Sequence, residues 1–198
     1  MLARRQAGFT LVEIIIVMAI SSALAVIALM GFSTLRSQAQ FSDSIERLKE
    51  KVTAERQEAL ATVKLSGGTD SSRVTFGRLL TFTPGSSAIQ IQTLYTANNP
   101  APAAGQAVFT NPAEDVTYTV PWGVTFTGAS VTRVAFVRST TDGALQTATS
   151  TAWVAGSYTY GNFAPNGAPR NLNFRDPSGR TAFLTVTPTN NGITRTFP

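Results

Sequence analysis

From Phe9 to Phe32 the chain is apolar with a single acid in it, Glu13, and no proline occurs before Pro84. As a helix that run spans ~36 Å, more than the ~30 Å hydrocarbon core of a bilayer. A helix apolar all round is not the surface helix of a soluble domain, so the run predicts a membrane-spanning helix. Its polar residues are few: Thr10, Glu13, Ser21 and Ser22. Glu13 is the anomaly. A carboxylate costs about 2.5–3.5 kcal/mol at the centre of a membrane helix and less toward an end. Unless it is simply tolerated near the interface, such an acid needs a partner. Arg4 and Arg5, just before the run, read as the positive flank that keeps the N-terminus cytoplasmic.

An ordinary secretory signal has a short apolar core followed by its small-residue cleavage site. Here the small residue, Gly8, precedes the run, so cleavage there would keep the anchor. A plain signal-anchor helix explains the length and leaves Glu13 without a purpose. Gly8-Phe9-Thr10-Leu11-Val12-Glu13 instead resembles the class III signal of type IV pilins and pseudopilins. That family pattern is a short basic leader, a Gly, then Phe-Thr-Leu-(Val/Ile)-Glu opening a hydrophobic helix. The resemblance implies that prepilin peptidase cuts between Gly8 and Phe9 and that the new terminus at Phe9 is N-methylated. It also implies filament assembly through Phe9 and Glu13. An ammonium and a carboxylate near apolar phase are both expensive unpaired, and a staggered neighbour can bring its Glu13 to the Phe9 amine. Small residues such as Ala19, Ala23, Ala25 and Ala28 suit close helix packing or are lipid-compatible filler. The implied partners are prepilin peptidase, other pilin or pseudopilin subunits through the N-terminal helix, an inner-membrane assembly platform, and membrane lipid before assembly. The implied location is the cytoplasmic membrane, single-pass with the head outside, and then a periplasmic or extracellular filament.

The chain contains no Cys and no His, and its net charge is +5. Without Cys there is no disulfide, thiolate nucleophile or Cys-type zinc site. This departs from the C-terminal disulfide loop of many type IV pilins. Without His the commonest general base and metal ligand are gone. The reading is therefore not an enzyme, with no catalytic residues, no metal and no cofactor. Loss of residues 1–8 would remove Arg4 and Arg5 and no acid, lowering +5 to +3, which is not by itself a nucleic-acid charge signature.

Beyond Phe32 the pattern turns amphipathic. Phe41, Ile45, Leu48, Val52, Ala59 and Val63 follow helical spacing, with Asp43, Glu46, Arg47, Lys49, Glu50, Lys51, Glu55, Arg56 and Glu58 on the other face. Asp43–Arg47 and Lys51–Glu55 are opposite charges at i,i+4. The sequence predicts one helix from about Phe9 to about Lys64. Met30 stands where the family often has a proline, so no proline kink is carried over. Ser66-Gly67-Gly68-Thr69-Asp70-Ser71-Ser72 ends the helix. Thereafter Lys disappears and strand-like runs alternate with turn residues. Strands are expected at 73–82, 88–95, 116–120, 131–138, 152–160, 172–174, 181–187 and 193–197, with a hairpin turn at Asn190-Asn191-Gly192. The Thr147–Thr151 run reads as an edge strand, a loop or an O-modified segment, and Trp122 and Trp153 as core or sheet packing.

The fold expected is α+β and pilin-like: a long N-terminal helix, half transmembrane and half amphipathic, packed on an antiparallel β-sheet head. Its parts are a leader at 1–8, a transmembrane and assembly helix at 9–32, an amphipathic helix at 33–65 and a β-rich head at 66–198. Phe76–Phe82, Leu172–Phe174, Ser178–Arg180 and Gly192–Arg195 resemble the heads of H-type pseudopilins and FimT-like minor pilins. The function implied is a structural subunit of a type IV pilus-like or type II secretion-like filament, as a minor pilin or pseudopilin rather than a major pilin. The alternative is a DNA-binding minor pilin of a competence pilus, with Arg170, Arg175, Arg180 and Arg195 as the DNA contacts. The reading we favour for these arginines is a solvated basic surface paired with Asp176 or its neighbours.

Overall fold

Thr10 precedes a helix, α1 (Leu11–Ala61), that runs unbroken through the apolar and the amphipathic segments. The computed structural model describes residues 10–61, 74–96, 107–138, 145–150, 158–159, 169–187 and 192–198. Two compact units divide between Gln40 and Phe41.

In the first unit the helix is bare among the described residues. Its large apolar side chains from Leu11 to Leu35 stand 48% to 75% exposed, and the helix is long and apolar enough to cross a membrane. Hydroxyls here bond within the helix: Ser22 Oγ donates to the Met18 carbonyl at 2.7 Å and Thr34 Oγ1 to the Met30 carbonyl at 3.2 Å. Internal pairing of that kind is what a lipid environment requires of polar groups.

In the second unit the rest of α1 buries Phe41, Ser44, Ile45, Leu48, Val52, Glu55 and Ala59. The apolar members are those the helical spacing picks out; Val63 lies outside the described residues. The stripe covers a sheet of seven strands: β1 (Val74–Phe82), β2 (Ala88–Thr96), β3 (Ala107–Thr110), β4 (Val116–Thr119), β6 (Thr132–Arg138), β7 (Leu145–Ser150) and β8 (Tyr158–Thr159). Their order is β7-β6-β1-β2-β3-β8, with β4 also on β2. A second sheet has the order β11-β10-β9-β5, formed by β5 (Thr125–Phe126), β9 (Arg170–Arg175), β10 (Thr181–Thr187) and β11 (Gly192–Thr196). Every pairing is antiparallel.

One core joins the helix stripe to both sheets: Leu80, Phe82, Ile89, Ile91, Val134 and Phe136 from the large sheet, and Phe126, Leu172, Phe174, Ala182, Leu184 and Val186 from the small one. Phe82, Phe126 and Phe174 meet at ring-centroid distances of 5.7–6.1 Å, within the range for favourable aromatic pairs. A smaller cluster, Leu79, Leu94, Val108, Ala135 and Val137, is buried separately. These residues alternate along β1, β2 and β6 with those of the main core, so they occupy the sheet's other face. Between Thr75 and Gly77 a bulge shifts the β1–β2 register.

Four expectations need correcting. β3 and β5 arise where no strand is expected. Of the readings open for Thr147–Thr151, the edge strand holds over Leu145–Ser150, where β7 ends the large sheet, and what differs is that Thr147 and Thr149 are buried on its core side. Glu55, assigned to the polar face, is 4% exposed. It survives burial because Lys51 Nζ lies 2.6 Å from one carboxylate oxygen and Arg78 Nε 3.7 Å from the other. Trp122 is not packed inside but 55% exposed. Arg73 and Trp153 lie outside the described residues.

Candidate functional site

The start of α1 is closed by its own side chains. The Glu13 backbone N–H donates to Thr10 Oγ1 at 3.3 Å, and the Thr10 N–H donates to Glu13 Oε2 at 2.9 Å. The Thr10 hydroxyl donates to the same oxygen at 3.0 Å. This reciprocal arrangement is a capping box, which satisfies two of the N–H groups that a helix start leaves without partners. Reading Glu13 only as an acid in search of a distant partner misses this local role. The signal was present in the Thr-x-x-Glu spacing of Thr10 and Glu13. The cap engages one carboxylate oxygen, and Oε1 makes no hydrogen bond among the described residues. Gly8 and Phe9 lie outside the described residues.

The late arginines divide between the two faces of the small sheet and a turn. On β10, Ala182, Leu184 and Val186 point into the core. Arg170 is opposite Val186 and Arg195 opposite Leu184, which puts both on the core-side face of the small sheet. Arg175 is opposite Thr181 and lies one register position out of phase with the core residues Phe174 and Ala182, on the other face. Arg180 sits in the turn between β9 and β10. Arg195 Nη1 reaches Glu46 of α1 at 2.7 Å. Its guanidinium also lies over the Phe197 ring at 5.5 Å.

Arg180 is held more firmly. Its Nη2 and Nε approach Asp176 Oδ2 at 2.7 and 2.9 Å, and its backbone N–H donates to Oδ1 at 2.8 Å. The Ser178 hydroxyl lies 2.8 Å from both carboxylate oxygens. Burial pushes the Asp176 carboxyl up, but the Ser178 and Arg180 donors and the guanidinium charge outweigh it and hold it below its usual value. Gly179 takes a positive φ of 94° to close this turn. The Arg180 guanidinium then rests 5.8 Å from the Phe41 ring centre, and Phe41 meets Phe197 edge-on at 5.9 Å. Arg180, Phe41, Phe197, Arg195 and Glu46 thus form one ladder joining the small sheet to the helix.

At the other end of the amphipathic segment, Arg78 pairs with Glu58 and donates from Nη1 to Thr93 Oγ1 at 2.5 Å. On the far edge of β2, Asp115 accepts from the Gln90 and Gln92 side chains, each at 2.9 Å. The neighbouring Tyr95 donates its hydroxyl to Glu114. Burial, then that carboxylate, pushes the phenol up to about 12. These contacts fix loops to the sheet. No group of His, Cys, Asp and Glu suited to a metal occurs among the described residues.

Trp122 is the exposed exception. It lies in a short 3-10 turn, Pro121–Gly123, with φ 60° and ψ 25°. A side chain in this left-handed region costs roughly 1–2 kcal/mol. The turn is nevertheless fixed, because the buried Ser44 of α1 donates its hydroxyl to the Pro121 carbonyl at 3.2 Å.

Residues 3–29 match the family model of the prokaryotic N-terminal methylation motif, the class III signal of type IV pilins. No curated protein and no solved structure matches the chain.

Proposed function

We propose that this chain is a structural subunit of a type IV pilus-like or type II secretion-like filament, a minor pilin or pseudopilin made as a membrane-anchored precursor. The observation that carries the reading is a methylation motif at residues 3–29 that takes in the start of a helix whose apolar half is bare. Residues 1–8 are the leader, 9–32 span the membrane and later enter the filament core, 33–65 support the head, and 66–198 are displayed. Prepilin peptidase cuts after Gly8, and Phe9 becomes the methylated terminus. Bare apolar side chains first face lipid and then the same helices of neighbouring subunits. Glu13, already held at its own helix start, has Oε1 left to receive the Phe9 ammonium of the next subunit. That neutralises two charges in an apolar setting and sets the axial step.

The head arginines favour this structural role over DNA capture. Arg180 and Arg195 are already engaged by Asp176 and Glu46, and the four candidates divide between two faces and a turn. Phosphate binding favours a single uncrowded cationic surface, and the division of these arginines supports the structural reading.

The test separates processing from assembly. Gly8→Phe should leave residues 1–8 on the membrane-bound protein, read by mass spectrometry, because the peptidase needs a small residue at the scissile bond. Glu13→Val should be inserted and cleaved but be missing from sheared filaments. Normal cleavage of the Gly8 variant, or wild-type incorporation of the Glu13 variant, refutes the corresponding step.

A further inference from the structure

The small sheet has a second face, turned away from the core. On β10, Phe183 and Thr185 alternate with the core residues Ala182, Leu184 and Val186, which puts them on that face. The register sets Asn173 on one side of Phe183 and Thr196 on the other, and Asn171 and Thr194 on the two sides of Thr185. Thr185 donates its hydroxyl to Asn171 Oδ1 at 2.7 Å, so these side chains meet on one surface. Arg175 lies on the same face opposite Thr181, two residues and ~7 Å along β9 from Asn173. Arg175, Thr181, Thr194 and Thr196 are exposed, and Phe183 is half-buried. No Asp or Glu occurs in β9, β10 or β11.

Two groups on this face are left over by the fold. Arg175 donates from Nε to the Gly179 carbonyl at 3.3 Å and pairs with no carboxylate among the described residues. A Cβ on Gly179 would lie 3.2 Å from Arg175 Nη2, so the guanidinium rests on that turn. It is thus oriented without being neutralised, whereas Arg180 and Arg195 are engaged by Asp176 and Glu46. Asn173 Oδ1 is covered and has no hydrogen-bond partner among the described residues. Such an oxygen is costly, and a donor brought by a ligand offsets the cost once the amide turns outward.

An aromatic ring flanked by amides and hydroxyls matches a ligand with an apolar C–H face and a rim of hydroxyls. One oriented guanidinium on strands without acids matches one carboxylate, which it can hold through two parallel N–H donors. A sugar acid carries both. A phosphate polymer calls for several cations together, and this face has one. A protein partner calls for an apolar centre, and Phe183 is the one large apolar side chain that β9, β10 and β11 place here. We propose that this face binds a glycan chain of sugar acids, with a sugar ring on Phe183, its hydroxyls bonded by Asn171, Asn173 and the threonines, and a carboxylate on Arg175. All these contacts lie within the head, so the proposal stands apart from the filament reading.

The experiment titrates hexagalacturonate into the full chain in detergent by calorimetry, with maltohexaose as the neutral probe and a linear polyphosphate as the phosphate probe. Hexagalacturonate should bind, and maltohexaose should bind about fivefold more weakly, the upper reach of one surface ion pair. Arg175→Gln should abolish that preference. Thr181→Glu, which sets a carboxylate opposite Arg175, should do the same. Arg47→Gln, removing an exposed cation of α1, should leave it intact. Phe183→Leu should weaken both sugars. Absence of sugar binding, equal binding of the two sugars, or a preference that survives both Arg175→Gln and Thr181→Glu overturns the proposal. Polyphosphate bound as tightly as hexagalacturonate assigns the face to polyanions in general and overturns it as well.

Discussion

Asp176→Ala should detach the Arg180 turn from the helix. The carboxylate is 8% exposed and receives the Arg180 backbone N–H, the Arg180 guanidinium and the Ser178 hydroxyl. Hydrogen bonds to a charged group contribute about 1.5–3 kcal/mol each when buried. The guanidinium is 30% exposed and can rehydrate, so its share falls toward the ~0–1 kcal/mol of a surface pair. Relief of the carboxylate's own burial offsets part of the rest. The net loss expected is about 1.5–3 kcal/mol, or a fall in melting temperature of about 3–12 °C at 2–4 °C per kcal/mol for a domain of this size.

The loss must also depend on pH. A carboxyl held below its usual value of 3.8 stabilises the fold at pH above that value and ceases to as pH falls through the folded pKa. The gap between wild type and Asp176→Ala should be full at neutral pH and close on acidification below about pH 4. Thermal melts of the full chain in detergent, followed by near-ultraviolet circular dichroism, would read both. A gap under about 0.5 kcal/mol, or one that stays constant into strong acid, refutes the reasoning.

Gly77→Ala should destabilise the head by about 1–3 kcal/mol, toward the top of that range. Its Cβ would lie 2.5 Å from the Phe136 carbonyl oxygen and 2.8 Å from Val137 Cγ1, and a paired backbone cannot step aside. Denaturant unfolding would measure it. Leu48→Ala, at a fully buried position in the main core, should cost about 2–5 kcal/mol in the same assay. Removing everything before residue 66 should strip the cover from Leu80, Phe82, Ile89 and Ile91 and yield aggregates by light scattering, whereas a fragment from residue 33 should remain soluble. The head should give no salt-sensitive gel shift with duplex DNA, and Arg180→Gln with Arg195→Gln should change nothing in that assay.

Period and residue type made the helix and its buried stripe legible, because Phe41, Ile45, Leu48, Val52 and Ala59 repeat at helical spacing and all reach the core. Strands with large alternating residues, such as Ile89 and Ile91 in β2, were equally readable. β7 is legible only as one of several readings, an edge strand among them: of its residues only Leu145 is large and apolar, and threonines suit a loop as well as a strand. Glu55 was misassigned for a related reason, since charge pattern within a helix does not reveal that Arg78, on a distant strand, will be waiting for it. Trp122 failed in the opposite direction. Its turn geometry is set by a hydrogen bond from Ser44, a contact across 77 positions that no local pattern encodes. In the first turn of α1 the cost of an acid in an apolar run marks Glu13 as unusual, whereas its bond to Thr10 is marked by the Thr-x-x-Glu spacing alone.

Because one oxygen of Glu13 serves its own helix, Thr10 and Glu13 act as a single structural unit. Aspartate at position 13 would keep the charge yet fall a methylene short of the Thr10 amide, and valine at position 10 would keep the acid but deprive the Glu13 amide of its acceptor. The first turn therefore carries its own cap, made from within the chain. A change at either position breaks the cap by itself.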